Sequence, residues 1–144
     1  MALVAILGFS RFATSQINSV ELQDGGGSLL SQHASIEEAY NAIPGTITQA
    51  YIIEILSAYD GSSELLPIDL TVRSGSSSVN TITIRPDAGN TGEVISGNNT
   101  AGIIKIDNSD YIIIDGRPGG TGSTADLEIR NSATTGTNSN TIEM

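Results

Sequence analysis

Residues 107–116 read DNSDYIIIDG, and this stretch decides the fold class that the sequence predicts. The stretch begins with a polar turn of aspartate, asparagine and serine. A tyrosine and three consecutive isoleucines follow, and an aspartate and a glycine end it. Isoleucine is β-branched and favours strands, and a strand that is apolar throughout is typical of burial on both faces. The stretch therefore predicts a short, buried β-strand between tight turns.

The same design recurs from residue 51 onward, where apolar residues alternate or cluster in short runs. Clusters of glycine, asparagine, serine and aspartate separate these runs. The predicted strands lie at 51–56, 67–72, 80–85, 93–95, 102–106, 111–115, 126–130 and 141–144. The chain contains 20 isoleucines, and serine, threonine, asparagine and glycine make up 58 of its 144 residues. This composition predicts one folded, all-β domain with polar turns.

One helix is predicted ahead of these strands. Ser35 followed by Glu38 three positions later is the pattern of a capping box. Pro44 ends the helix, because proline cannot continue it. The apolar face repeats at helical spacing and consists of Ile36, Ala39, Tyr40 and Ile43.

Two all-β folds accommodate strands this short. A β-sandwich would join its strands by hairpins, but no two-residue Asn-Gly or Asp-Gly loop connects any predicted pair. A parallel β-helix winds short strands into a solenoid, and the predicted helix would close its first coil. The strand lengths and turns therefore favour the parallel β-helix.

The chain also resembles a known family. Residues 35–144 resemble the right-handed parallel β-helix (pectate-lyase-like) repeat proteins that Bacteroidetes bacteria secrete. The resemblance is carried by the helix at 35–44, NTITIRP at 80–86, DNSDYIIIDG at 107–116, RPGG at 117–120 and DLEIRN at 126–131. It implies a right-handed parallel β-helix with a short N-terminal capping helix. It also implies that this chain is the N-terminal portion of a longer protein.

The first residues have the pattern of a targeting segment. Residues 1–9 read MALVAILGF, an apolar run before small and polar residues, which predicts a signal peptide at 1–16. No lysine or arginine precedes the run, as in a weak or truncated signal; the alternative is a buried N-terminal strand or helix. The run is shorter than the roughly 20 residues that span a bilayer, so no stable membrane insertion is expected. Residues 17–34 are then a lead-in, and the predicted location is extracellular or the cell surface.

Charge and composition exclude several classes of function. The chain has 16 acidic residues against 6 lysines and arginines, a formal net charge of −10. Nucleic-acid binding requires clustered basic residues, so no nucleic-acid partner is expected. The absence of cysteine excludes disulfides and thiolate chemistry, and the single histidine excludes metal sites built on several imidazoles.

The densest polar cluster provides the candidate ligand-binding residues, which are Asp107, Asp110, Asp115 and Arg117. Oxygen-rich turns can bind calcium, and β-helix polysaccharide lyases use calcium held by carboxylates. The alternative is that the aspartates only satisfy the backbone of a turn. The arginines at 73, 85, 117 and 130 are isolated in sequence and are interpreted as ordinary surface charge. No catalytic residue, metal ligand or cofactor is predicted, with calcium as the alternative.

These observations favour a non-catalytic secreted or cell-surface module that contacts polysaccharide or surface glycan, for example in adhesion. One alternative is the N-terminal part of a polysaccharide lyase or hydrolase whose active site lies downstream. The other alternative is a structural component of a fibre. The chain itself is expected not to be an enzyme, because it offers no convincing acid–base pair.

Overall fold

The computed structural model describes residues 18–135 and 140–144. Ten strands, one α-helix and one 3₁₀ turn make up its regular structure. In chain order they are β1 (Val20–Asp24), β2 (Leu29–His33), α1 (Ile36–Ala42), β3 (Tyr51–Ile55), β4 (Ile68–Thr71), β5 (Ile82–Pro86), β6 (Glu93–Gly97), β7 (Ile104–Asp107), β8 (Ile112–Ile114), the 3₁₀ turn (Pro118–Gly120), β9 (Leu127–Asn131) and β10 (Ile142–Glu143). The eight strands predicted from the sequence are confirmed, with ends shifted by one or two residues.

The strands form three small sheets. The largest has five strands in the order β2-β1-β3-β5-β8 and is mixed: β1 pairs antiparallel with β2 and β3, whereas β3, β5 and β8 pair in parallel. A second sheet has the order β10-β7-β4, and a third pairs β6 with β9, both in parallel.

The predicted right-handed parallel β-helix is wrong. In the described part of the chain the sheets are small and not arranged as a solenoid, the largest is mixed, and no sheet is closed or curled. The prediction rested on the short strands after residue 51 and took residues 17–34 as a lead-in. Those residues instead contribute β1 and β2, which add two antiparallel strands beside β3. The sequence pattern could not reveal this pairing, because strand partners are chosen by long-range contacts.

The β1–β2 turn is ordered by Asp24. Its Oδ1 accepts hydrogen bonds from the backbone N–H groups of Gly26 and Ser28, each at 2.9 Å. These bonds, chiefly with Ser28, lower the pKa of the Asp24 carboxyl. The glycine-rich segment at 24–28 is therefore a defined turn.

Helix α1 is confirmed, with a modified capping box. Ser35 Oγ accepts from the Glu38 N–H at 3.1 Å, as predicted. The Glu38 carboxylate reaches back one residue further than in the usual motif and accepts from the Ala34 N–H at 3.1 Å. Glu64 completes the N-terminus, since its Oε1 accepts from the Ile36 N–H at 2.6 Å.

The core lies between the helix and the inner faces of the sheets. The predicted apolar face of α1 is buried. Fully buried aliphatic side chains from five strands and from the residue before β7 belong to the same core, including Ile53, Ile55, Ile68, Leu70, Ile82, Ile84, Ile95, Ile103 and Ile104. Each such isoleucine contributes about 1.5–3 kcal/mol of transfer free energy, so the isoleucines dominate the stability of this fold.

The predicted signal peptide at 1–16 lies outside the described residues. In residues 18–135 and 140–144, no helix has the length and apolar character needed to cross a bilayer.

Candidate functional site

The outer face of the five-stranded sheet carries a line of polar side chains. Side chains alternate between the two faces of a strand, so the neighbours of the buried residues point outward. Register places five of these outward residues side by side across the sheet: Gln32 on β2, Glu21 on β1, Glu54 on β3, Arg85 on β5 and Asp115 just after β8. The Asp115 N–H continues the ladder by donating to Ile84 O at 2.9 Å. We call these five residues, together with Arg117, which is paired with Asp115, the polar row.

Glu54 is the centre of the polar row and is only 7% exposed. Its Oε1 accepts from Arg85 Nε at 2.9 Å and lies 2.8 Å from Arg85 Nη2. Its Oε2 accepts from Gln23 Nε2 at 2.6 Å. A carboxylate with so little exposure to water must be paired and hydrogen-bonded to remain charged, and both oxygens of Glu54 meet this condition.

Gln23 links Glu54 to the next carboxylate. Its Nε2 also donates to Glu21 Oε2 at 3.1 Å, so one amide group joins two carboxylates. Glu21 Oε1 accepts from Gln32 Nε2 at 3.1 Å. The side chains from β2 to β5 are thus held by a continuous hydrogen-bond chain, which restricts their rotamers.

The other end of the polar row is an aspartate–arginine pair. Arg117 Nε donates to Asp115 Oδ1 at 2.9 Å, and Arg117 Nη2 donates to Asp115 Oδ2 at 2.7 Å. This bidentate pair is the main reason that the pKa of Asp115 falls to about 2, and the Arg85 guanidinium lowers it further. Asp115 is therefore ionised at every pH in the neutral range.

The 3₁₀ turn Pro118–Gly120 packs against Arg85. A Cβ atom at position 120 would lie 2.7 Å from Arg85 Nη1. Gly120 also has a φ of +69°, which favours glycine. The turn can approach the guanidinium this closely only because residue 120 has no side chain, and it limits the positions open to Arg85.

A second line of outward side chains runs beside the polar row. Register aligns Ile52 on β3, Thr83 on β5 and Ile113 on β8, and we call these three residues the apolar strip. Ile113 is 42% exposed, so the prediction that β8 is buried on both faces is wrong. The strand lies at the edge of its sheet, and the outer face there is open to solvent.

The four candidate residues predicted from the sequence do not form one cluster. Asp115 and Arg117 belong to the polar row at the C-terminal end of β8. Asp107 is the last residue of β7 and Asp110 lies in the connection to β8, so both precede the N-terminal end of β8. The structure thus places one half of the predicted set in the row and the other half at a separate corner.

At that corner, Asp107 is engaged by its neighbours. Its Oδ1 accepts from Asn108 Nδ2 at 2.8 Å, and its Oδ2 lies 3.8 Å from Lys105 Nζ. Asp110 lines a cleft of about 380 Å³ together with Ile106, Asn108, Ser109 and Met144. Among residues 18–135 and 140–144, no three histidine, aspartate or glutamate side chains are close enough to hold a metal ion.

Glu54, Gln23 and Glu21 are not among the candidate residues that the sequence predicts. A usable signal was the single charged residue in YIIEI at 51–55, since a glutamate in an apolar strand needs a partner. Its partner, Arg85, lies 31 residues away in sequence, and its isolated position among the arginines predicts only ordinary surface charge. Only the parallel pairing of β3 with β5 brings the two together.

The chain was compared with protein-family models, with curated proteins and with solved structures, and none of the three comparisons found a match.

Proposed function

We propose that this chain is a non-catalytic binding module, acting outside the cell or at its surface, that contacts glycan through the polar row and the apolar strip. The observation that carries the proposal is the continuous hydrogen-bond chain from Gln32 to Arg85, together with the bidentate pair of Asp115 and Arg117. It fixes a line of polar groups along one sheet face, which is buried at Glu54 and accessible to a ligand at Glu21, Gln32 and Arg117.

The chemistry of the polar row suits polyhydroxylated ligands. Sugar hydroxyls both donate and accept hydrogen bonds, and the row offers carboxylate acceptors beside amide and guanidinium donors. In the adjacent apolar strip, Ile113 is 42% exposed and offers aliphatic surface for the C–H face of a sugar ring. Because the polar side chains are already held in place, a ligand would lose little affinity to side-chain ordering.

The same geometry favours binding over catalysis. A general acid or base at neutral pH needs a pKa near the working pH. Asp115 has a pKa of about 2, and Glu54 uses both oxygens to hold Arg85 and Gln23. Asp115 is therefore suited to accept hydrogen bonds from a ligand without exchanging protons with it.

Binding to a panel of polysaccharides, measured by affinity electrophoresis, tests this proposal. Gln32→Ala and Arg117→Ala alter the two exposed ends of the polar row, and each should weaken binding several-fold. Arg130→Ala on β9 removes an exposed arginine of another sheet and should leave binding unchanged. Equal loss in all three variants, or release of new sugar ends from the bound polysaccharide, would contradict the proposal.

A structural role is the second candidate, and it rests on the edge of β8. Ile82 N–H donates to Tyr111 O at 3.2 Å, and Asp115 N–H donates to Ile84 O at 2.9 Å. In a parallel ladder, successive residues of a strand direct their backbone N–H and C=O groups to opposite sides. Because Tyr111 and Asp115 bond to β5, the backbone groups of Ile112 and Ile114 face away from β5. Such an edge can add a strand from another chain. Concentration-dependent filament growth in sedimentation would support this role, and a constant monomer mass would exclude it.

A further inference from the structure

We infer that the glycan recognised by the polar row is a neutral polysaccharide, one without uronate, sulfate or phosphate groups. This inference rests on the proposed function and specifies its ligand class. It follows from how the charges of the row are already paired.

Both guanidinium groups at the site have carboxylate partners. Arg85 contacts Glu54 through Nε and Nη2, and Arg117 contacts Asp115 through two parallel bonds. A uronate or sulfate would have to compete with these protein carboxylates for the same donors. Each new ion pair between a guanidinium and the ligand would break one ion pair within the protein. The Arg85–Glu54 pair is also poorly exposed to water.

The remaining charge at the site is negative. Among residues 18–135 and 140–144, Glu21 accepts hydrogen bonds only from the amide groups of Gln23 and Gln32, so its carboxylate has no cationic partner in the row. The whole chain carries a formal net charge of −10. A polyanion would therefore be repelled both at the site and at long range.

An uncharged polysaccharide meets neither obstacle. Its hydroxyl groups can donate to the Glu21 carboxylate, which is partly exposed. They can also accept from the amide of Gln32, which is exposed at the edge of the sheet. Hydrogen bonds from hydroxyls to an ionised carboxylate are stronger than those between neutral groups, so Glu21 becomes the residue that distinguishes the two ligand classes.

The substitution Glu21→Gln tests the inference by the sign of its effect. It keeps the shape of the side chain and removes its charge. For a neutral ligand, loss of the charged acceptor should weaken binding about tenfold. For an acidic ligand, removal of one negative charge should instead strengthen binding.

The experiment compares soluble β-glucan, xyloglucan and mannan with polygalacturonate and alginate, by titration calorimetry. The matched control is Glu128→Gln, which removes one negative charge from an exposed residue of β9. We expect binding to one or more neutral polymers, weakened by Glu21→Gln and unchanged by Glu128→Gln. The affinity should change by less than about twofold between low and high salt, since no net charge is neutralised. Thermal melting checks that both variants are folded.

The contrary outcomes separate the two proposals. Binding to an acidic polymer alone, strengthened by Glu21→Gln and weakened by salt, would overturn the neutral class while leaving glycan binding intact. Binding to no polymer of either class would overturn the proposed function and, with it, this inference.

Discussion

Arg85 contacts a single oxygen of Glu54, its Oε1, through two nitrogens: Nε donates a hydrogen bond at 2.9 Å and Nη2 lies at 2.8 Å. The second oxygen of Glu54 is thereby left to Gln23 at 2.6 Å. Through these two oxygens, Glu54 connects the ion pair to Gln23 and, through Gln23, to Glu21 on β1. The pair is thus both a structural contact between β3 and β5 and the centre of the polar row.

The first prediction concerns this ion pair. Arg85→Ala leaves the poorly exposed Glu54 carboxylate without its cation and should lower the free energy of unfolding by about 3 kcal/mol. Urea denaturation measures the loss. Arg130→Ala removes an exposed arginine that lies 3.6 Å from Glu128 and should cost less than about 1 kcal/mol.

A double substitution separates pairing from packing. Glu54→Leu combined with Arg85→Leu removes both charges and should recover most of the stability that Arg85→Ala loses. If Arg85→Ala is as stable as Arg130→Ala, Glu54 does not depend on Arg85.

The second prediction concerns the 3₁₀ turn. Gly120 and Gly122 have positive φ angles of +69° and +79°, so alanine at either position should cost about 1 kcal/mol in backbone strain. At position 120 the added Cβ would also meet Arg85 Nη1, whereas nothing lies within 4 Å at position 122. Gly120→Ala should therefore weaken glycan binding as well as stability, and Gly122→Ala should affect stability alone. Identical effects in both assays would show that the turn does not position Arg85.

The third prediction concerns acid stability. The Asp115 pKa is lowered from 3.8 to about 2, mainly by the hydrogen bonds from Arg117. A lowered pKa stabilises the fold above the unfolded value, and this contribution is lost as pH falls from about 4 to about 2. Denaturation at several pH values should show a steeper loss of stability over this range in the wild type than in Asp115→Asn. Parallel pH profiles would mean that the pair contributes nothing to acid stability.

The fourth prediction concerns Glu64, whose pKa is raised and not lowered, so that its contribution to stability changes with pH in the opposite direction. Burial raises the pKa of its carboxyl from 4.5, although the Ile36 N–H and the Tyr59 hydroxyl donate to it and oppose the shift. A raised pKa contributes stability that is fully present below about 4.5 and is lost as pH rises through the folded value. Glu64→Gln has no charge to lose. Its stability relative to the wild type should therefore increase between about pH 4 and pH 8, and a constant difference would contradict the prediction.

The corner at 107–110 shows where sequence proximity misleads. Asp107 and Asp115 are separated by only eight positions, and the sequence places them in one candidate cluster. Strand β8 runs between them and carries them to its opposite ends. Conversely, Glu54 and Arg85 are 31 positions apart and make direct contact. Separation along the chain predicts neither case, because a strand extends by about 3.3 Å per residue while neighbouring strands lie about 4.8 Å apart.

The sequence by itself determined the local structure after residue 35. Capping residues and helical spacing define α1, and isoleucine-rich runs between polar turns define eight strands, because these signals act within a few residues. The tertiary structure alone decided which strands are neighbours. It placed the β1–β2 hairpin antiparallel to β3, replaced the predicted solenoid by three small sheets and aligned the polar row. Pairing and register depend on hydrogen bonds and buried contacts between distant segments, and no local pattern in the chain records them.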